Sequence, residues 1–246
     1  MKLKDKVVII TGGGTGIGKA TALKAAEEGA NVVINYSRSE TEAEEAVNEI
    51  TKRGGTALAV KANVSIEKEV EQMVSRTVNT FGTVDCLVNN ASITAQIPME
   101  DLHSASDQVW DTLFNVNVKG MFHCVKAVVP YMKEHKYGAI VNMGSVAGIT
   151  GIGSSIPYAA TKSAIHTMTK SLAVALAPSI RVNCIAPGAV DTRWWADNRE
   201  KMYQLAGDLP LNRVSTPDDI AEAVLFQLTQ ESITGQKFTI DNGQTL

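Results

Sequence analysis

Short aliphatic runs alternate with helix-length stretches along the whole of this chain. β-Branched and aliphatic residues cluster at 6–11, 31–36, 56–61, 84–89, 138–144, 180–186 and 237–241. Between them lie segments with apolar residues at helical spacing. One opens at Lys19 and is stopped by Gly29; the others are 39–53, 66–81, 106–133, a stretch led by Pro157, and 216–228. A strand buried on both faces reads as a continuous aliphatic run, and each parallel pair needs a crossover helix. The alternation therefore predicts an α/β fold, a doubly wound parallel sheet of about seven strands with helices on both faces. No linker, repeat or biased segment interrupts it, so residues 1–246 are expected to form a single domain. Pro130 is expected to bend or end its helix, and 187–210 reads as a looser segment.

Bulk properties exclude several function classes. The net charge of −3 gives no general attraction to nucleic acid. The longest aliphatic runs are strand-length, far short of the roughly 20 residues that cross a bilayer. The N-terminal residues lead into a strand and do not read as a secretory signal. Cys86, Cys124 and Cys184 are scattered and set among apolar neighbours, as small buried hydrophobes in a reducing cytoplasm would be. No metal site is expected.

Between the first strand and first helix stands Thr11-Gly-Gly-Gly-Thr-Gly-Ile-Gly18. A glycine turn there presents backbone N–H groups and a helix start at the sheet edge, an anion site suited to a pyrophosphate. Gly12, Gly14, Thr15, Gly16, Ile17 and Gly18 are the candidates for holding it. A P-loop nearly fits from Gly13 to Lys19 but fails at Ala20, where a hydroxyl should hold Mg²⁺. The usual G-x-G-x-x-G spacing does not fit either. The second strand ends in Asn35-Tyr36-Ser37-Arg38. An acidic residue there would bind a ribose 2′-OH; a neutral Asn35 with Arg38 nearby accommodates a 2′-phosphate, so NADP(H) is favoured over NAD(H).

Tyr158 and Lys162 lie four apart behind Pro157, at the start of an apolar-periodic run. They should share one helix face. An ammonium beside a phenol favours the phenolate, so the Tyr158 pKa is expected to fall below about 10. Such a phenol can exchange a proton with an alcohol or carbonyl oxygen. The spacing alone is common, and the rest of the chain has to support it.

That support comes from motif order. The glycine turn, Asn89-Asn-Ala-Ser92, Asn117 in Asn-Val-Asn-Val-Lys-Gly, Ser145, Tyr158-Ala-Ala-Thr-Lys162, and Pro187-Gly188 followed by Thr192 together resemble the short-chain dehydrogenase/reductase family. The resemblance runs from about Lys6 to the C-terminus and implies a Rossmann-type fold and a hydride transfer between a nicotinamide and a carbonyl or secondary alcohol. It implies Tyr158 as general acid/base, Lys162 as its electrostatic and ribose-binding partner, Ser145 as donor to the substrate oxygen, and Asn117 as holder of a relay water. It places Asn63, Val64, Asn89, Ala91, Pro187, Gly188, Val190 and Thr192 along the cofactor. Three positions depart from the family pattern: Ser92 for glycine, Asn63 for aspartate, and Asn242 in the C-terminal turn. Ser is expected to be tolerated at 92, the Asn63 amide oxygen to remain able to accept from adenine, and Asn242 to suit a turn with positive φ.

Within that family the chain is most similar to 3-oxoacyl-thioester reductases and glucose-type sugar dehydrogenases. A substrate lid is expected at about 190–212, with Trp194 and Trp195 as an apolar wall or as packing residues. Ile93, Thr94, Gln96, Ile149 and Ile152 are expected to complete a modest, mainly apolar pocket around Ser145 and Tyr158. Carrier-protein docking is doubtful, because the flanking helices carry Pro130 and Val174 where Arg is common; Lys126, Lys133 and Lys136 are the alternative cations. The family is usually homotetrameric. The leading expectation is a carbonyl reductase. The alternatives are a sugar or polyol dehydrogenase, a lyase or epimerase on the same fold, and a non-catalytic dinucleotide sensor or scaffold.

Overall fold

The computed structural model describes residues 2–195 and 199–246, save the side chains at 201 and 204–207. The seven strands are β1 (Val7–Ile10), β2 (Asn31–Tyr36), β3 (Thr56–Lys61), β4 (Cys86–Asn89), β5 (Gly138–Met143), β6 (Ile180–Pro187) and β7 (Lys237–Ile240). All pair in parallel in the order β3-β2-β1-β4-β5-β6-β7. This is the doubly wound, Rossmann-type arrangement that the alternation predicts.

Side-chain parity explains the two covered faces. Val8, Ile10, Val32 and Ile34 point into one core with α1 (Gly16–Glu27), α2 (Glu40–Lys52) and α9 (Pro217–Thr229). Ile9, Val33, Leu87 and Ile140 point into the other with α3 (Glu67–Phe81), α5 (Met121–Glu134) and α7 (Ile156–Leu176). Each fully buried aliphatic side chain contributes roughly 1.5–3 kcal/mol, so these central strands anchor both layers. The chain reverses its winding direction between β1 and β4, and a crevice opens there at the carboxyl ends of the strands.

Three local features differ from the sequence expectation. The helix expected over 106–133 is divided into α4 (Asp107–Phe114), a π-helical stretch Asn115–Gly120, and α5. Pro130 does not bound α5 but lies inside it, so of a bend or an end only the bend is left. Pro130 and Lys126, one turn earlier, both face solvent, so the carbonyl that loses its N–H partner can turn to water. The segment read as loose contains α8 (Arg199–Asp208), and a short α6 (Ala147–Thr150) follows Ser145. Asn242 has φ 54°, the left-handed conformation expected for that turn. No helix among the described residues is long and apolar enough to cross a membrane.

Candidate active site

Tyr158 is placed by the start of α7. Ser155, fully buried, caps the helix by accepting from the Tyr158 N–H at 3.3 Å, and Pro157 sits in the first turn. Such a cap contributes about 1 kcal/mol and fixes the phenol on the first turn. Lys162 follows one turn on and His166 one turn further. Lys162 is 2% exposed, and its Nζ donates to the Met143 carbonyl at 2.9 Å. Ser145 lies just past the end of β5; its hydroxyl accepts from the Ala147 N–H at 3.1 Å, and it lines the cleft together with Tyr158.

Burial dominates the electrostatics of this group. It pushes the Tyr158 phenol up to about 12, with the nearby Ser145 pulling the other way. It pushes Lys162 down to about 8. The expected fall in the Tyr158 pKa is therefore not found in the protein chain by itself. The ammonium spends its hydrogen bond on a backbone carbonyl, and desolvation of a phenolate outweighs its presence.

Asn117 lies in the π-helical stretch and is 1% exposed. Its Oδ1 accepts from Ser92 Oγ at 3.1 Å and the Ile93 N–H at 2.9 Å; its Nδ2 donates to the Ile93 carbonyl at 3.0 Å and Thr161 Oγ1 at 3.2 Å. That uses both donors and both usual acceptor positions. The side chain is a bracket between the loop after β4 and α7, with nothing left over for a water. Ser92 is accommodated because its hydroxyl joins this bracket.

A cleft of about 900 Å³ runs from the glycine turn to Tyr158. Of the residues expected along it, Gly12, Gly14, Thr15, Gly16, Ile17, Asn35, Tyr36, Ser37, Arg38, Asn63, Val64, Ala91, Pro187, Gly188, Val190 and Thr192 line it, with Ser145, Tyr158 and Lys162 at the far end. The substrate-side expectations Ile93, Gln96, Ile152, Trp194 and Trp195 line it too. Thr94 and Ile149 do not. The Thr94 hydroxyl is held by the Ser154 hydroxyl, and Ile149 points outward, 41% exposed. Of the expected lid, residues 196–198 lie outside the described residues.

The glycine turn is shaped for an anion. Gly12 and Gly16 have φ of 62° and 52°, and a Cβ on Gly18 would stand 2.3 Å from the Gly12 carbonyl. Gly18 therefore acts from behind the turn and not from the cleft wall. Thr15 caps α1 without a side-chain hydrogen bond, which leaves the first N–H groups of α1 free of a side-chain acceptor.

Three cofactor assignments change. Asn89 is a sheet-interior residue, 6% exposed, donating to Asn142 Oδ1 at 2.9 Å. Its neighbour Asn90 lines the cleft and donates to the Thr11 and Gly12 carbonyls at 2.9 and 3.1 Å. Asn35, 1% exposed, points back into the turn: Oδ1 accepts from the Gly12 N–H at 3.3 Å, and Nδ2 donates to the Ala62 carbonyl at 2.9 Å. It braces the glycine turn and cannot also read a ribose. The Asn63 Oδ1 already accepts from the N–H and hydroxyl of Ser65 at 3.1 and 2.8 Å.

His166 escaped the sequence reading. Its Nε2 accepts from the Ser145 N–H at 3.5 Å, and Gly144 and Gly148 make room for its ring, which Cβ atoms there would meet at 2.4 and 2.8 Å. Burial, then Lys237 and Lys162, hold it down to about 4, so it is neutral at pH 7. Its signal was its spacing, four residues past Lys162 on the same face.

The sheet order, the glycine turn and the Ser145–Tyr158–Lys162 group have a counterpart among known proteins. The family pattern described as short chain dehydrogenase matches residues 6–203. The chain belongs to the short-chain dehydrogenase family. Among its relatives within this family is the (2S)-((R)-hydroxy(phenyl)methyl)succinyl-CoA dehydrogenase subunit BbsD of Thauera aromatica, 39% identical over 250 residues that cover 100% of this chain and 99% of that one. A 3-oxoacyl-(acyl-carrier-protein) reductase of Synechocystis is 38% identical, covering 99% and 98% of the two chains. The crystal structure of a short-chain dehydrogenase/reductase from Burkholderia xenovorans superposes with a TM-score of 0.91 at 34% identity, covering 97% of each chain. As a short-chain dehydrogenase, the protein is an oxidoreductase of a family that uses a nicotinamide dinucleotide.

Proposed function

We propose that this short-chain dehydrogenase is an NADP(H)-linked carbonyl reductase acting on a 3-oxoacyl-type ketone, with Tyr158 as its general acid/base. The observation that carries the reading is the convergence of Ser145, Tyr158 and a buried Lys162 on one end of the glycine-turn cleft. The nicotinamide supplies the hydride. The donors that would hold its pyrophosphate are the first N–H groups of α1, and the positive-φ glycines keep that approach open.

The chain's own residues then divide the work. A carbonyl oxygen would sit between the Ser145 hydroxyl and the Tyr158 phenol. Ser145 donates to it and stabilises the charge that develops there. Tyr158 delivers the proton; a phenol that burial keeps protonated is the correct form for the reductive direction. The Asn117 side chain is fully used, so a water relaying protons toward Lys162 would be held by main-chain carbonyls of the π-helical stretch, whose ladder is locally widened.

The thioester reading draws on the two relatives, one named for a succinyl-CoA and one for an acyl-carrier-protein substrate. The pocket walls agree with an acyl chain: Ile93, Ile152, Trp194 and Trp195 face the cleft, and Trp194 rests on Tyr158 with ring centroids 5.8 Å apart. We read 190–212 as the substrate lid. Lys126 is paired with Glu67 at 2.6 Å, which removes it from any carrier-docking patch. Phe122 and Val174 on the outer faces of α5 and α7, and Phe226 beside β7, are exposed at 44, 83 and 47%, and we read these faces as subunit contacts of a homotetramer.

The test is a panel of 3-oxoacyl thioesters, β-keto esters, sugars and simple ketones with NADPH and with NADH, followed by nicotinamide absorbance. Oxidation of sugars without reduction of any 3-oxoacyl compound would overturn the substrate reading. No nicotinamide turnover with any substrate would point to a lyase, an epimerase or a sensor.

A further inference from the structure

The stretch after β6 ends in a single 3₁₀ turn, Arg193–Trp195, whose neighbouring side chains point to opposite ends of the cleft. Trp194 reaches Tyr158. Arg193 reaches the start of α2, with Nη1 3.4 Å from Glu42 Oε1 and Nη2 3.5 Å from Ser39 Oγ. Charge-assisted hydrogen bonds normally close to about 2.7–2.9 Å, so this clasp is loose. Its partners are also well exposed, 62% for Arg193 and 44% for Glu42. On the same rim Arg38 is exposed and has no ion-pair partner among the described residues. Two arginines thus line the same stretch of the cleft, one without an ion-pair partner among the described residues and one weakly held.

Two neighbouring positions that could read the adenosine ribose are taken. Asn35 is turned into the glycine turn, Tyr36 donates to Glu40 at 2.8 Å, and the turn itself offers Thr15 in place of a cation.

We propose that Arg193, from the lid turn, joins Arg38 in holding the 2′-phosphate of the adenosine ribose, exchanging Glu42 for the phosphate. A phosphate monoester carries close to two charges and can engage both guanidinium groups, whereas Glu42 offers one exposed carboxylate to one of them. The lid turn would then contribute to cofactor choice at one end and to the substrate wall at the other. This inference rests on the nicotinamide dinucleotide reading above and deepens it.

The test measures dissociation constants for NADPH, NADH, 2′,5′-ADP and 5′-AMP by calorimetry, and by tryptophan fluorescence, since two of the three tryptophans stand at the cleft. Wild type should favour the 2′-phosphorylated member of each pair. Arg193→Gln should weaken NADPH and 2′,5′-ADP by about tenfold or more, the scale of one charge-assisted hydrogen bond, and leave NADH and 5′-AMP within about twofold. Glu42→Gln should tighten NADPH, because it removes the competing carboxylate. Equal weakening of both cofactors by Arg193→Gln, or no change in the ratio, overturns the subsite while leaving the NADP(H) reading in place. A wild type that binds NADH as tightly as NADPH overturns that reading itself.

Discussion

Lys162 and Tyr158 stand one helical turn apart, with the Lys162 ammonium 5.5 Å from the centre of the Tyr158 ring and 2.9 Å from the Met143 carbonyl. The charge lies over the ring and is anchored to the backbone of β5. The pair is therefore expensive to bury, and its cost can be measured.

Burial lowers Lys162 from 10.5 to about 8. On that basis the ammonium costs the folded state about 3 kcal/mol at neutral pH. Replacing Lys162 by Met removes that cost and leaves the Met143 carbonyl without its donor, a penalty of about 1–3 kcal/mol. Lys162→Met is thus expected to be as stable as wild type at pH 7 or up to about 2 kcal/mol more stable, and inactive. The sign with pH follows. Between about 8 and 10.5 the unfolded chain binds the extra proton, so wild-type stability gains on the variant as pH rises through that window. Urea titrations across it are the check, and a variant clearly less stable than wild type at pH 7 contradicts the account.

Asn89 and Asn90 should separate stability from cofactor binding. Asn89→Ala leaves the buried Asn142 Oδ1 without a donor, and a loss of about 1–3 kcal/mol is expected with little change in cofactor affinity. Asn90→Ala frees the Thr11 and Gly12 carbonyls at the cleft, so NADPH affinity should fall by about tenfold with little change in stability. Thermal melts and cofactor titrations on both variants decide it; the reverse pattern would return Asn89 to the cleft.

His166 makes the Ser145 turn sensitive to acid. Its pKa is held down from 6.5 to about 4, mainly by burial, so in that window the unfolded state binds more protons and folded stability falls as pH drops from 6.5 toward 4. His166→Gln keeps an acceptor for the Ser145 N–H and removes the titration. Its acid limb should be flatter than that of wild type over that range, and an unchanged limb rules His166 out as the cause.

Trp194 lies 41% exposed against Tyr158. Trp194→Ala should raise KM for substrates with long or aromatic acyl chains by about tenfold and change KM for the shortest ketones little, since the lost contact is apolar area. Equal effects on long and short substrates would mean that the residue packs the lid and does not touch the acyl chain.

Much of the fold was legible because parallel strands are written as aliphatic runs closed by turn residues, and β2 and β3 keep the same ends in structure as in sequence. The glycine turn and the Tyr158–Lys162 spacing were legible for the same local reason. The misplacements share one cause. Strand side chains alternate faces, so a one-residue ambiguity at a strand end exchanges buried for cleft-facing. Asn89 against Asn90, and Asn35 at the end of β2, are that case. The π-helical widening at Asn115–Gly120 and the occupied Thr94 hydroxyl depend on tertiary partners distant in sequence. The direction of the Tyr158 pKa was missed because the helix shows which charge is near, while the depth of burial comes from what packs over it.

In the proposed reaction the Tyr158 phenol moves the proton. The most direct test is turnover by Tyr158→Phe on a reducible 3-oxoacyl thioester, with NADPH affinity measured in parallel. Turnover should drop by about a thousandfold, within the range of a positioned acid/base, while NADPH binds within about twofold of wild type. Wild-type-like turnover in Tyr158→Phe would contradict the account.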